Sequence, residues 1–249
     1  MKRAAKVRLD ALLVARGLTE SRAKAQALIM AGDVLVGGHP ISKAGQLCAP
    51  DSEVTIREQP RYVGRGGLKL EAALDAFGID VAGARALDIG ASTGGFTDCL
   101  LQRGAGEVVA LDVGHDQIHW RLRNDPRVRV VEGTNARLIE PGQFGELFDI
   151  VVMDVSFISQ RLIWPRIGEQ LREGGVAISL IKPQFEAGPK EVGRGGVVRD
   201  AAVRERVVAD IRDFAERAVG FKVDGVIKSP VEGREGNVEY LLCARKSAV

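Results

Sequence analysis

Residues 87–96, Leu87-Asp88-Ile89-Gly90-Ala91-Ser92-Thr93-Gly94-Gly95-Phe96, decide the fold of this chain. An apolar run enters Asp88 and Gly90, small residues follow, and Phe96 to Leu101 begins a helical pattern. The order predicts a strand, a tight turn and a helix, with room for a ligand against bare backbone. A dinucleotide fingerprint needs glycines at its first, third and sixth positions, with an acid roughly 20 residues on. Counted from Gly90, the third position is Ser92, so that pattern fails. Further on, VVALDVG ends a second strand at Asp112, where a carboxylate can accept hydrogen bonds from two ribose hydroxyls. An ordinary tight turn requires neither Asp88, nor paired glycines, nor Asp112.

The spacing D-x-G-x-x-x-G-G resembles that of S-adenosyl-L-methionine (AdoMet) methyltransferases. It implies cofactor contacts from Asp88, Gly90, Ala91, Ser92, Thr93, Gly94, Gly95 and Phe96, with Asp112 on the ribose. Asn135, in GTNAR after the third strand, stands where an adenine-contacting polar group is usual.

Outward from this turn, strands and helices alternate. Strands are expected near 84–89, 107–112, 128–131, 147–153, 175–181, 222–228 and 237–243. Helices are expected near 94–103, 116–122, 159–171 and 201–219, with LKLEAALDAFG forming one more, from Leu68 to Gly78. This is the pattern of a Rossmann-like doubly wound α/β sheet, which binds ligands at the carboxyl ends of its strands. The last two runs, FKVDGVIKSP and NVEYLLCAR, suggest a reversed final strand.

The chain has 249 residues and a net charge of +2, unevenly spread. Residues 1–63 carry ten basic and six acidic side chains, and the remainder 25 and 27. A basic N-terminal module suggests a polyanionic partner, although a solvated helix face gives the same bias. Here VRLDALLVARGL and SRAKAQALIMAG read as two helices, and VLVGG and SEVTIRE as strands. Pro60, Gly64, Gly66 and Gly67 place a linker near 60–66, between domains 1–63 and 64–249. No apolar run approaches the roughly 18 residues of a membrane span. Cys48, Cys99 and Cys243 are scattered, which suggests neither a disulfide framework nor zinc. His115 and His119 have a helical metal spacing but no third ligand, so no metal is expected. The cytosol is the expected compartment and a monomer the expected state.

Three charges end apolar strands or sit within one: Asp154 after LFDIVVM, Lys182 after GGVAISLI, and Glu239 in GNVEYLL. Lys69 lies in the helix before the first sheet strand. A buried acid needs a partner, and these four charges can supply one another. They match the K-D-K-E tetrad of FtsJ-type ribose 2′-O-methyltransferases. The N-terminal module, roughly residues 6–63, resembles the S-four RNA-binding domain, with Arg8, Ser21, Arg22 and Lys24 at its RNA-facing positions. Together with DVSFIS, KPQFE and RYVGRGG, the whole chain resembles the TlyA-like haemolysin/rRNA methyltransferase family.

That resemblance implies AdoMet-dependent 2′-O-methylation of cytidine in ribosomal RNA, with rRNA or a ribosomal subunit as partner and no membrane. The chain stops at Val249, and family members acting on both subunits tend to carry extra C-terminal sequence, so large-subunit RNA is the expected substrate. In the tetrad, Lys182 is assigned the hydroxyl, as base or as electrostatic stabiliser. Asp154-Val155-Ser156-Phe157 lacks the prolines of amine-directed methyltransferases. Phe157 is expected in the core, with stacking on the target base as the alternative. Residues 183–200 read as a mobile basic loop able to close over RNA. PRYV (Pro60–Val63) fills the place of an interdomain tetrapeptide that usually has tryptophan where this chain has Tyr62. A pore-forming haemolysin and a non-catalytic RNA-binding factor are the competing readings.

Overall fold

A computed structural model describes residues 5–57 and 60–247, apart from the side chain of Arg234. The chain divides into two compact units, Met1–Pro60 and Arg61–Val249. In the first, β1 (Val7–Arg8) leads into α1 (Leu9–Ala15) and α2 (Arg22–Met30). Then follow β2 (Val34–Val36), β3 (His39–Ile41), β4 (Leu47–Cys48) and β5 (Val54–Ile56). β1 pairs with β4, and β2 is central between β3 and β5. Leu9, Leu12 and Leu13 pack against Ala25, Ile29 and Val34 as the core of this unit. Strands β1, β3 and β4 are two or three residues long, too short for any periodicity to mark them in the sequence.

The second unit begins with α3 (Gly66–Phe77), β6 (Arg85–Ile89) and α4 (Gly95–Gln102). β7 (Glu107–Leu111), α5 (Trp120–Arg123), β8 (Val128–Val131) and β9 (Phe148–Met153) follow. The chain continues through α6 (Trp164–Gln170), β10 (Leu171–Ile181), α7 (Pro183–Glu186) and α8 (Ala201–Asp213), ending with β11 (Phe221–Lys228) and β12 (Tyr240–Lys246). The seven-stranded sheet has the order β11-β12-β10-β9-β6-β7-β8. Only β12 runs against its neighbours, so the last strand is the reversed one, as its sequence suggested. From β6 the chain winds to β7 on one side and later to β9 on the other. That reversal opens a crevice at the carboxyl ends of β6 and β9.

Strand alternation divides the core in two. Ala86, Val108, Ile150, Val152, Ile178, Leu180 and Leu241 face α3 and α4. Leu87, Val109, Val151, Met153, Ile181 and Leu242 face α6 and α8. On the second face Trp164 is fully buried, its ring edge-on to Phe221 with centroids 5.2 Å apart.

Several boundaries differ from the periodicity reading. The expected helix at 116–122 shrinks to α5, because Asp116 adopts φ +54° and the chain turns before Trp120. The expected helix at 159–171 splits at Ile163 into a 3₁₀ turn (Gln160–Leu162) and α6, and β10 starts already at Leu171. α8 ends in a π turn at Phe214–Ala218. The segment 183–200 is not uniform loop: it holds α7 and a Gly193–Val197 bridge. No helix among the described residues is long and apolar enough to cross a membrane.

Candidate active site

A cleft of about 630 Å³ opens at the carboxyl edge of the sheet in the second unit. The turn after β6 forms one wall. Gly90 sits at φ +83°, and a Cβ there would stand 2.4 Å from the Asp154 carbonyl oxygen, so the turn can hug β9 only with glycine. Gly90, Ala91, Ser92, Thr93, Gly95 and Phe96 all line the cleft. Asp112 ends β7 beside them, its carboxylate accepting from Ser92 N and Gly114 N, each at 2.7 Å. Each oxygen keeps a second lone pair for a ligand. Asn135 also lines the cleft, and its side-chain oxygen caps a 3₁₀ turn through Arg137 N at 3.0 Å.

Two expected contacts lie elsewhere. Gly94, at φ +95°, faces away: a Cβ there would collide with Leu122 Cδ1 at 2.2 Å. Asp88 is fully buried beneath the turn and accepts from Thr97 Oγ1 at 2.7 Å. Burial pushes its carboxyl from the ordinary 3.8 up to about 7, against the opposing Thr97 bond. Folded Asp88 therefore keeps a proton that the unfolded chain releases, and stability falls as pH rises between about 4 and 7. We expect Asp88→Asn to flatten that slope, measured as urea midpoints against pH. A variant with the wild-type slope would show that Asp88 does not cause it.

The same alternation that divides the core collects four charges on one face. Asp154 continues the parity of Val152, Lys182 that of Leu180, and Glu239 that of Leu241, all on the side where α3 carries Lys69. Lys182 Nζ lies 2.5 Å from Asp154 Oδ1 and donates to Ser156 Oγ at 2.8 Å. Lys69 Nζ donates to Glu239 Oε2 at 2.5 Å, with both side chains nearly inaccessible. The tetrad is thus two ion pairs on one cleft. Glu239 lies just ahead of β12 rather than within a strand, its carbonyl accepting from Ser229 N at 2.9 Å.

Sequence reading missed Ser156, Arg65 and Gln184, which also line the cleft. Arg65 stands four residues before Lys69, a helical spacing that could have flagged it. Phe157 is not core: it is 84% exposed at φ +63°, tilted against Phe185 with centroids 4.9 Å apart. Tyr62 is buried, and the linker is tied to the second unit by Arg61–Glu71 and by Val63 N donating to Asp98 at 2.8 Å. His119 caps α5 through Arg121 N at 3.2 Å, and the described residues hold no cluster of potential metal ligands.

In the first unit, buried Asp10 gathers the expected RNA-facing arginines. Arg8 donates to it at 2.9 and 3.0 Å and Arg22 at 3.0 Å, while Gln26 adds a bond at 2.7 Å. These donors hold its carboxyl well below the usual range. Ser21 Oγ, expected at a phosphate, caps α2 by accepting from Lys24 N at 3.2 Å, which leaves its hydroxyl proton to donate. Lys24 pairs with Glu20 at 3.4 Å, and Arg8, Arg22 and Lys24 remain about half exposed.

A single reversed strand, a glycine turn after β6 and two lysine–carboxylate ion pairs on the cleft at the carboxyl edge make the second unit a Rossmann-like methyltransferase domain. The FtsJ-like methyltransferase model matches residues 62–246, and the S4 domain model matches residues 7–54. The 16S/23S rRNA (cytidine-2′-O)-methyltransferase TlyA of Mycobacterium tuberculosis is 47% identical over 97% of this chain and 91% of its own. The 23S rRNA (cytidine-2′-O)-methyltransferase TlyA of Campylobacter jejuni is 38% identical over 72% and 69%. A solved structure described as a hemolysin from Streptococcus thermophilus superposes with TM-score 0.74 at 43% identity, covering 97% of this chain and 89% of the other. The chain belongs to the TlyA family of FtsJ-like methyltransferases with an N-terminal S4 domain.

Proposed function

We propose that this protein methylates the ribose 2′-hydroxyl of a cytidine in ribosomal RNA, using AdoMet and acting on the large subunit. The observation that carries the reading is Lys182, ion-paired with Asp154 at 2.5 Å on the cleft walled by the Gly90 turn. The names of both curated relatives include cytidine 2′-O-methylation of 23S RNA, which supports the substrate. The protein works as a cytoplasmic monomer, its N-terminal unit holding RNA and its C-terminal unit transferring the methyl group.

The cleft fits AdoMet: its volume is in the range of cofactor sites, bare backbone at Gly90 allows close approach, and Asp112 has lone pairs to spare. When bound, AdoMet supplies a methyl group already activated on a sulfonium. Gly90, Ala91, Ser92, Thr93, Gly95, Phe96 and Asp112 would orient it. Asp154 and Ser156 hold the Lys182 amine in place, and it donates to the 2′-oxygen as negative charge grows there. The hydroxyl proton leaves to water. Lys69 and Glu239 fix the opposite wall, and exposed Phe157 offers a ring to the target base.

Separated ribosomal subunits incubated with labelled AdoMet test this directly. Label should enter large-subunit RNA at a cytidine 2′-oxygen. Any label in small-subunit RNA overturns the large-subunit assignment, and label on a base nitrogen overturns the reaction. In binding assays, Arg22→Ala should weaken RNA affinity and reduce the log–log salt slope by about one. An unchanged slope would remove Arg22 from the phosphate contacts.

A further inference from the structure

The segments carrying Asp154 and Lys182 leave neighbouring strands, β9 and β10, and three contacts join them. Innermost, Lys182 meets Asp154 and Ser156. Next, the rings of Phe157 and Phe185 lie 4.9 Å apart. Outermost, Glu186 Oε2 accepts from Ser159 Oγ at 2.7 Å and Oε1 from Gln160 N at 2.8 Å. Gln160 is buried, and its side-chain oxygen accepts from Trp164 Nε1 at 3.1 Å and from Ser179 Oγ. The outer contact is therefore anchored in the core. Between the inner and outer contacts Phe157 holds φ +63°, a conformation a bulky residue keeps only where its surroundings over-determine it.

Resting on the methyl-transfer reading above, we infer that Glu186 is a positioning residue. Its carboxylate latches the Asp154–Gln160 segment to the Lys182–Glu186 turn and sets the register of the Lys182–Asp154 pair. Glu186 does not line the cleft, and it acts through that pair. Glutamine can replace it: the amide oxygen accepts from Gln160 N while the amide nitrogen donates to Ser159 Oγ.

The test compares Glu186→Ala, Glu186→Gln and Ser159→Ala in the full chain. It reads kcat and KM on ribosomal subunits, AdoMet affinity, and amide hydrogen exchange. Glu186→Ala should lower kcat by about 100-fold, the scale of a small misplacement of reacting groups, with AdoMet affinity unchanged. Exchange should quicken in residues 154–160 and not in β6 or β7. Glu186→Gln should restore both readouts, and Ser159→Ala should lower kcat in the same sense. Wild-type kcat in Glu186→Ala, or faster exchange throughout the sheet, overturns the latch. Should Glu186→Ala not fold, wild-type kcat in Ser159→Ala does the same. A wild-type protein that methylates no ribosomal RNA refutes the activity reading instead, and the exchange pattern then decides the latch independently.

Discussion

Lys182→Ala should lower methyl-transfer turnover by about 100- to 1,000-fold, the range measured when a preorganised donor to developing negative charge is removed. AdoMet binding should stay at the wild-type level, because the Gly90 turn and Asp112 hold their geometry through bonds that do not involve Lys182. Two contacts make Lys182 the sensitive position: Asp154 Oδ1 at 2.5 Å and Ser156 Oγ at 2.8 Å fix its ammonium group. Lys182→Arg keeps the charge but carries a planar fork in place of a compact ammonium, and it should not restore full activity. Titration of AdoMet alongside single-turnover transfer separates binding from chemistry. Near-normal turnover in the alanine variant would take Lys182 out of the mechanism.

Glu239→Ala should destabilise the C-terminal unit by about 3–5 kcal/mol, the cost of leaving one member of a buried ion pair alone. The Glu239 side chain is 3% exposed and that of its partner Lys69 10%, so the pair is largely shielded from bulk water. Replacing both partners with apolar residues, as in Lys69→Met with Glu239→Leu, should recover most of that stability, since an isosteric apolar pair avoids the desolvation cost. Activity should not return with it, because the cleft wall loses both charges. Urea unfolding of the two variants beside labelled transfer checks both halves. A single variant as stable as wild type would show that the pair is not buried in solution.

Much of the fold was legible because strands and turns here are locally marked. β6, β7, β8 and β9 are apolar runs that end in charged or small residues, and the winding between them follows from alternation with helices. Asp154 and Lys182 stood out for a related reason, whereas Lys69 entered only through the family resemblance. A charge ending an apolar run stands at a sheet edge, and the reversed β12 brings Glu239 to the same edge as Lys182.

The misses have physical causes too. Phe157 is apolar by type, yet left-handed backbone turns its ring outward, and residue type carries no trace of that dihedral. Asp88 looks like a ligand contact because it borders the turn, but strand parity points its carboxyl into the interior, onto Thr97. The α5 region carries helix-compatible residues, while the tie from His119 N to Thr93 O at 3.1 Å bends the chain toward the turn.

By itself, the sequence determined the winding of the sheet and the glycine turn, because periodicity and turn chemistry are local properties, while the choice of the four charges rested on the family resemblance. Only the tertiary structure decided how those charges divide: Lys182 with Asp154, and Lys69 with Glu239. Residues 170 apart in sequence meet in the second pair, and which cation takes which carboxylate depends on strand order and pleat. Those are properties of the assembled sheet, and no window of sequence contains them.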